Sequence, residues 1–128
     1  MNNIKYCLDT SAWLEFFNGN EELKKIIDER DLITPIIVIA ELSSIFAKKN
    51  IDFEKFFNFI LGNSVIVNLN LKSCLESGLL KEKQRKKNKT SSFSLTDSLI
   101  YLTSIENNAI LISKDFDFEG LEKVKIIK

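Results

Sequence analysis

The sequence contains no histidine. That excludes a Ser-His-Asp or Cys-His catalytic unit, His-ligated zinc and a ribonuclease mechanism built on a histidine pair. Hydrolysis would fall to carboxylates, a metal ion, lysine or a hydroxyl. Cysteine is nearly as scarce. Cys7 and Cys74 lie far apart and form no C-x-x-C, so neither a disulfide scaffold nor a zinc site is expected. No apolar run is long enough to span a bilayer. The first apolar stretch is short and is broken by Asp9, which is not the layout of a signal peptide. A cytoplasmic location without a membrane partner is therefore expected. Net charge is missing too: 18 Lys and Arg balance 18 Asp and Glu, so no overall field draws the chain to nucleic acid. The balance is uneven, however. Lys81 to Lys89 (KEKQRKKNK) carries six basic residues and one acid, net +5, which leaves −5 for the rest. There is no internal repeat and no long linker.

What is present suits one compact domain over residues 1–128, with 45% hydrophobic residues available for a core. Residues 4–8 read as a buried strand. A short helix over 11–18 ends near Gly19. Asn20 caps a second helix, 21–30, acidic at its start and basic towards its end. Residues 31–33 read as a short strand. Thr34 then caps a helix over 35–49 that Pro35 opens. The Ile36–Ile39 run favours strand by propensity, but Ala40, Leu42, Ile45, Phe46 and Ala47 continue at helical spacing. Asp52 caps a helix over 53–61, whose Phe53, Phe56, Phe57 and Phe59 read as core or as an interface. Residues 64–68 form a strand. Residues 70–84 form a helix with Leu71, Cys74, Leu75, Leu79 and Leu80 inward, running into the basic segment. Ser94 opens the next helix, with Leu99, Ile100, Leu102 and Ile105 inward. Strands follow over 109–113 and 124–127. This order predicts an α/β fold: a mainly parallel sheet of four to five strands with helices on both faces.

In such a fold, ligands bind just past the carboxyl ends of the strands, where the strand order reverses. Asp9 ends the first strand there. Asp115 and Asp117 follow a later one. Glu41 sits within an apolar helix, where a lone buried carboxylate costs several kcal/mol unless it is paired, protonated or on a metal. Asp97 stands in the first turn of a helix. Each acid also has a plain structural reading: Asp9 as an N-cap, Asp97 as support for the Ser94 cap, Glu41 as a surface partner of Lys48. Together they make an oxygen-only set, which suits Mg2+ or Mn2+ and not zinc. Like charges held close need a counter-charge, and a divalent cation supplies it. Such an ion acidifies water and steadies charge developing on a phosphoryl oxygen, so a phosphodiester is the logical substrate.

The segments YCLDTSAWLEFF, TPIIVIAELSS and SLTDSLIYLTSIENNAILISKDFDF, with the closing strand, resemble a PIN domain. Among those they resemble the VapC-like toxin ribonucleases of prokaryotic toxin–antitoxin pairs. No single motif is specific, but four in register span nearly the whole chain. Residues 50–90 match only in element type. The resemblance implies a PIN-like, Rossmann-like fold and a Mg2+- or Mn2+-dependent ribonuclease. Its acids here are Asp9, Glu41, Asp97 and Asp115, with Asp117 the alternative or fifth at the last position. Asp9, Asp97, Asp115 and Asp117 are the implied metal-side carboxylates, and Glu41 positions or deprotonates water. Ser11 matches the small polar residue that orients water in such sites. The resemblance further implies 5′-phosphate and 3′-hydroxyl products, a tRNA or rRNA target, a homodimer and a groove for an antitoxin segment. Lys83, Arg85, Lys86, Lys87 and Lys89 are candidates for gripping RNA backbone, or else a solvated helix end.

Two rivals remain. One is a non-catalytic PIN-like module that binds RNA or protein; the intact acid set argues against it. The other is an aspartate-phosphorylated α/β domain. A phosphatase of the haloacid-dehalogenase type needs D-x-D after the first strand, and Ser11 stands where the second acid belongs. A response receiver needs an acidic pair that is missing.

Overall fold

A computed structural model describes residues 4–128. The chain runs β1 (Lys5–Leu8), α1 (Thr10–Phe17), α2 (Glu21–Glu29), β2 (Asp31–Pro35), α3 (Ile36–Lys48) and α4 (Glu54–Asn63). It continues β3 (Val65–Val67), α5 (Leu71–Lys87), α6 (Leu95–Glu106), β4 (Ile110–Ser113), a 3-10 turn (Phe116–Phe118) and β5 (Val124–Ile126). The expected α/β architecture is present: a five-stranded sheet, all its pairings parallel, in the order β3-β2-β1-β4-β5. The chain winds outward from β1 to β3, then crosses back to place β4 on the other side of β1. The strand order therefore reverses at β1 and β4, and Leu8 lies in register with Ile112 there.

The core forms where this sheet meets its helices. Leu8, Trp13, Leu42, Ile100, Leu111 and Ile112 are all fully or almost fully buried. The phenylalanines largely join α1, α3 and α4 to one another. Phe17 meets Phe56 with ring centroids 4.9 Å apart, and Phe46 meets Phe56 at 4.8 Å. Trp13 stacks on Phe17 at 5.7 Å. Among the described residues, no helix is long and apolar enough to cross a membrane.

Three local expectations need correction. Thr34 is not a helix cap. It lies buried in β2, where its hydroxyl accepts from Trp13 Nε1 at 3.1 Å and bonds the Ser64 hydroxyl at 2.6 Å. Pro35 ends the strand instead, and α3 starts at Ile36. Asp52 does not sit at the cap position, which falls to Phe53, although its carboxylate still accepts from the Glu54 amide at 3.0 Å.

The largest departure is α5. Leu71, Leu75 and Leu79 are 76%, 75% and 64% exposed, and Cys74 is exposed as well. The face turned inward carries Ser73 and Ser77. Small side chains let α5 lie close against α6, where the Ser98 hydroxyl donates to the Ser77 carbonyl at 2.7 Å. Choosing the most apolar stripe as the inward one fails because close helix approach selects small residues, not large ones. The same helix also extends through Lys87, so most of the basic run is helical.

Candidate active site

The site is built at the carboxyl ends of β1 and β4. The Asp9 backbone amide still belongs to the sheet edge, donating to the Ile112 carbonyl at 3.3 Å. Its side chain caps α1: Oδ1 accepts from the Ala12 amide at 2.8 Å and from the Ser11 hydroxyl at 2.7 Å. The plain structural reading of Asp9 is thus satisfied, but it does not exhaust the residue. Asp9 is only 4% exposed. Burial pushes its carboxyl up to about 6, against the opposing pull of the Ser113 and Ser11 hydroxyls and the Ala12 amide; the charge of Asp97 raises it further. A cap needs no such depth, and a surface cap would stay an ordinary carboxylate.

Asp97 enters from the N-terminus of α6. It forms a capping box with Ser94: its amide donates to Ser94 Oγ at 3.0 Å, and its Oδ2 accepts from the Ser94 amide at 2.9 Å. Burial raises its pKa, the Ser94 bonds oppose that, and the fields of Asp115 and Glu41 add to it. Glu41 projects from the second turn of α3 and is half-buried. Thr10 holds it, donating from Oγ1 to Oε1 at 2.5 Å. Asp115 follows β4 and caps the 3-10 turn, its Oδ1 accepting from the Asp117 amide at 2.9 Å. Four acids from four separate segments, Asp9, Glu41, Asp97 and Asp115, are therefore linked by one another's charge, with Asp97 as the common member.

Asp117 is placed differently. Its Oδ2 accepts from the Ser92 amide at 3.1 Å and the Ser92 hydroxyl at 2.6 Å, which fastens the 3-10 turn to the segment leading into α6. Ser11 is a strut between strand ends. Besides bonding Asp9, its oxygen accepts from the Lys114 amide at 2.9 Å and lies 3.3 Å from Ser113 Oγ. Ser113 was not singled out from sequence. It is fully buried at the end of β4, beside Asp9, and its Oγ accepts from the Asp115 amide at 2.9 Å. It joins two of the acids through one hydroxyl. The available signal was a hydroxyl at the close of an otherwise apolar strand, directly before the K-D-F-D run.

Among the described residues, the cluster's own segments supply no cation to offset these acids. Lys114, the neighbour of Asp115, pairs with Glu15 at 2.8 Å. Among the described residues, too, no three acids close into a metal cage. Each is held by hydroxyls and amides, not by its fellow carboxylates. The donor chemistry nonetheless fits a hard divalent ion: oxygen only, with Asp9 buried, the other three half-buried, and Asp97 sharing its field with the rest. Asp9, Asp97 and Asp115 are the residues that would hold it.

The basic run precedes Asp97 in the chain. Lys83, Arg85, Lys86 and Lys87 occupy the last turns of α5, and Lys89 follows in the loop; all are exposed. Arg85 has a structural duty as well. Its Nε donates to the Phe93 carbonyl at 2.8 Å, tying the end of α5 to the stretch before α6.

Residues 6–124 match the family model described as PIN domain. No curated protein gives a significant match. Among solved structures, the chain is similar to a toxin–antitoxin complex from Klebsiella pneumoniae, at 22% identity and TM-score 0.71, over 94% of this chain and 95% of that one. It is also similar to VapBC2 from Rickettsia felis bound to a promoter DNA fragment, at 19% identity and TM-score 0.73, over 97% and 98% of the two chains. A third is Mycobacterium tuberculosis VapC20, described as a sarcin-ricin loop cleaving toxin, at 11% identity and TM-score 0.68, over 96% and 99%. At these identities the likeness is one of fold.

Proposed function

The chain belongs to the PIN domain family, and on that footing we propose that it is a metal-dependent endoribonuclease, the toxin of a toxin–antitoxin pair. The observation that carries this is the gathering of Glu41 through Thr10, Asp9 through Ser11 and Asp115 through Ser113 at the reversal point of the sheet, with Asp97 near enough for its charge to raise Asp9. Holding Asp9, Glu41 and Asp115 within reach of the Asp97 charge, with Asp9 buried, is a cost that a purely structural role does not need. On this reading the whole chain, 1–128, acts as a single domain.

Asp9, Asp97 and Asp115 would hold Mg2+ or Mn2+. When bound, the ion supplies charge neutralisation at the scissile phosphate and makes a nearby water more acidic. The protein's own groups do the positioning. Thr10 fixes one oxygen of Glu41, so the carboxylate is presented in one orientation to the attacking water and takes its proton. Ser11 and Ser113 lock the β1 and β4 ends together, which sets Asp9 against Asp115. In-line attack on phosphorus then breaks its bond to the 3′-oxygen, which takes up a proton from solvent, so that a 5′-phosphate and a 3′-hydroxyl are left. The substrate is RNA, with tRNA or rRNA as the class, gripped through its phosphates by Lys83, Arg85, Lys86, Lys87 and Lys89.

Two surfaces support the expected protein partners. The exposed stripe Leu71, Leu75 and Leu79 of α5 suits a homodimer contact. The apolar groove lined by Leu14, Phe17, Ile45, Phe46 and Phe56 suits an antitoxin segment.

The test is cleavage of total RNA by purified protein with Mg2+ or Mn2+, with EDTA, and with Asp97→Asn. Metal-dependent cutting at a few sites, lost in the variant and in EDTA, is the expected result. A folded, antitoxin-free protein that cuts nothing with any metal would overturn the nuclease and leave a non-catalytic binding module.

A further inference from the structure

Phe116 stands directly beside Asp115 and is 63% exposed. Exposed phenylalanines are ordinary when they ride on loose loops; this one does not. It occupies a 3-10 turn fixed on every side. The Asp117 amide bonds Asp115 Oδ1, the Phe118 amide bonds the Asp115 carbonyl at 3.3 Å, and the Glu119 amide bonds the Phe116 carbonyl at 2.9 Å. Asp117 fastens the turn to Ser92. Phe118, two residues on, is fully buried against Phe93, with ring centroids 5.5 Å apart and the planes at 77°. One ring anchors the turn in the core while its neighbour is held out in water.

We infer that Phe116 is a stacking platform for a base of single-stranded RNA next to the scissile phosphate. The inference rests on the ribonuclease reading above. A flat ring carried into solvent on a hydrogen-bonded turn needs no backbone reordering when a base lies on it, and every base has a face to offer. The surrounding charges favour a base over a phosphate at this spot, because Asp115, Asp117 and Glu119 flank the ring and repel anions. The phosphates have their own place nearby. Ser92 is bonded to Asp117, and Phe93 to Arg85 of the basic run, so the cationic stretch and the ring are joined through one short segment. A cationic track beside an aromatic face is the usual construction for binding unpaired strands. A basic peptide is the competing occupant of such a ring, and the test separates the two.

The full chain carrying Asp97→Asn serves as a non-cleaving background. Phe116→Trp is added to it, with Trp13 buried and constant as the internal reference. The probe is a mixed-sequence single-stranded RNA of roughly 12 nucleotides, with an abasic ribose-phosphate strand of equal length and charge as control. The RNA should quench the new tryptophan and the abasic strand should not. Phe116→Ala should weaken RNA affinity about 5- to 150-fold and leave abasic affinity unchanged. Phe116→Leu, apolar but not flat, should behave like Ala. RNA affinity indifferent to residue 116 would overturn the stacking alone, and quenching of the new tryptophan by a Lys- and Arg-rich peptide in its place would give the ring to a basic peptide. Failure of the background protein to bind either strand would overturn the RNA reading together with it.

Discussion

Replacing Asp9 with asparagine should abolish cleavage and make the protein more stable. The carboxyl rises from its ordinary 3.8 to about 6, mainly because it is buried and partly because Asp97 repels it. At ~1.4 kcal/mol per pH unit, keeping it ionised above pH 6 costs the fold about 3 kcal/mol. Asparagine keeps the oxygen that accepts from the Ala12 amide and the Ser11 hydroxyl and carries no charge. Its amide nitrogen must find a partner, so a net gain of ~1–2 kcal/mol is expected, enough to raise Tm by several degrees. The sign fixes the pH window. A carboxyl whose pKa is raised by folding gives its full stability below its unfolded value and loses it as pH climbs through the folded value. Near pH 4, where the carboxyl is neutral, Asp9→Asn should therefore melt ~1–2 kcal/mol below wild type, overtake it between pH 4 and about 6, and keep a constant lead above that. Thermal melts in EDTA across this range measure the gap directly. Adding Mg2+ or Mn2+ should narrow it by stabilising only the wild type. If Asp9→Asn melts below wild type at pH 8 in EDTA, Asp9 is a stabilising cap and the argument from burial is wrong.

Three further outcomes follow from the same geometry. Ser113→Ala removes the hydroxyl that receives the Asp115 amide beside Asp9; cleavage should fall ~10- to 100-fold with the fold retained by circular dichroism, and unchanged turnover would remove Ser113 from the site. Replacing Lys83, Lys86, Lys87 and Lys89 with alanine should weaken RNA binding and flatten its salt dependence by ~0.7 for each phosphate no longer neutralised; an unaltered slope, read by titration at several salt concentrations, would make the run a solvated helix end. Leu75→Glu places a charge at the centre of the exposed stripe on α5; on the proposed homodimer contact, wild type should sediment as a dimer and the variant as a monomer, with the stability of the fold within about 0.5 kcal/mol of wild type. A variant that still dimerises would place the dimer interface elsewhere.

The elements with the strongest local chemistry were legible. Asn20 accepting from Leu23, and Ser94 boxed with Asp97, are hydrogen bonds between close neighbours, and each marks a helix start as its sequence suggested. Thr34 misled because its partners are distant in sequence. A buried strand hydroxyl bonded to Trp13 and Ser64 looks, in one dimension, like a cap before proline. α5 misled for a related reason. Its leucines form the more apolar stripe, but which stripe turns inward depends on how near α6 must come, and the serines at 73, 77 and 98 settle that. Apolar periodicity identifies a helix; it does not say whether the apolar face meets its own chain or another surface.

The site shows the same division. Three of the acids were recoverable because each ends a strand or opens a helix, positions that the parallel sheet gathers at one edge; Glu41 stood out as the lone acid in a largely apolar helix. Asp115 and Asp117 were indistinguishable in the K-D-F-D run, since spacing alone gives both equal reach. The 3-10 turn separates them: placed on either side of Phe116, they meet different partners, Asp115 entering the field of Asp97 and Asp117 bonding Ser92. The hydroxyl framework was the hardest part to read. Ser11 stood out only through the family resemblance, Thr10 and Ser113 have no motif of their own, and only the register of Leu8 against Ile112 brings the ends of β1 and β4 level, so that Ser11 meets Ser113 and the Lys114 amide. Thr10 bonds the Glu41 carboxylate, Ser11 bonds that of Asp9, and Ser113 receives the Asp115 amide. That ranks Ser113 above Asp117 as a target for mutation, although only Asp117 carries a charge.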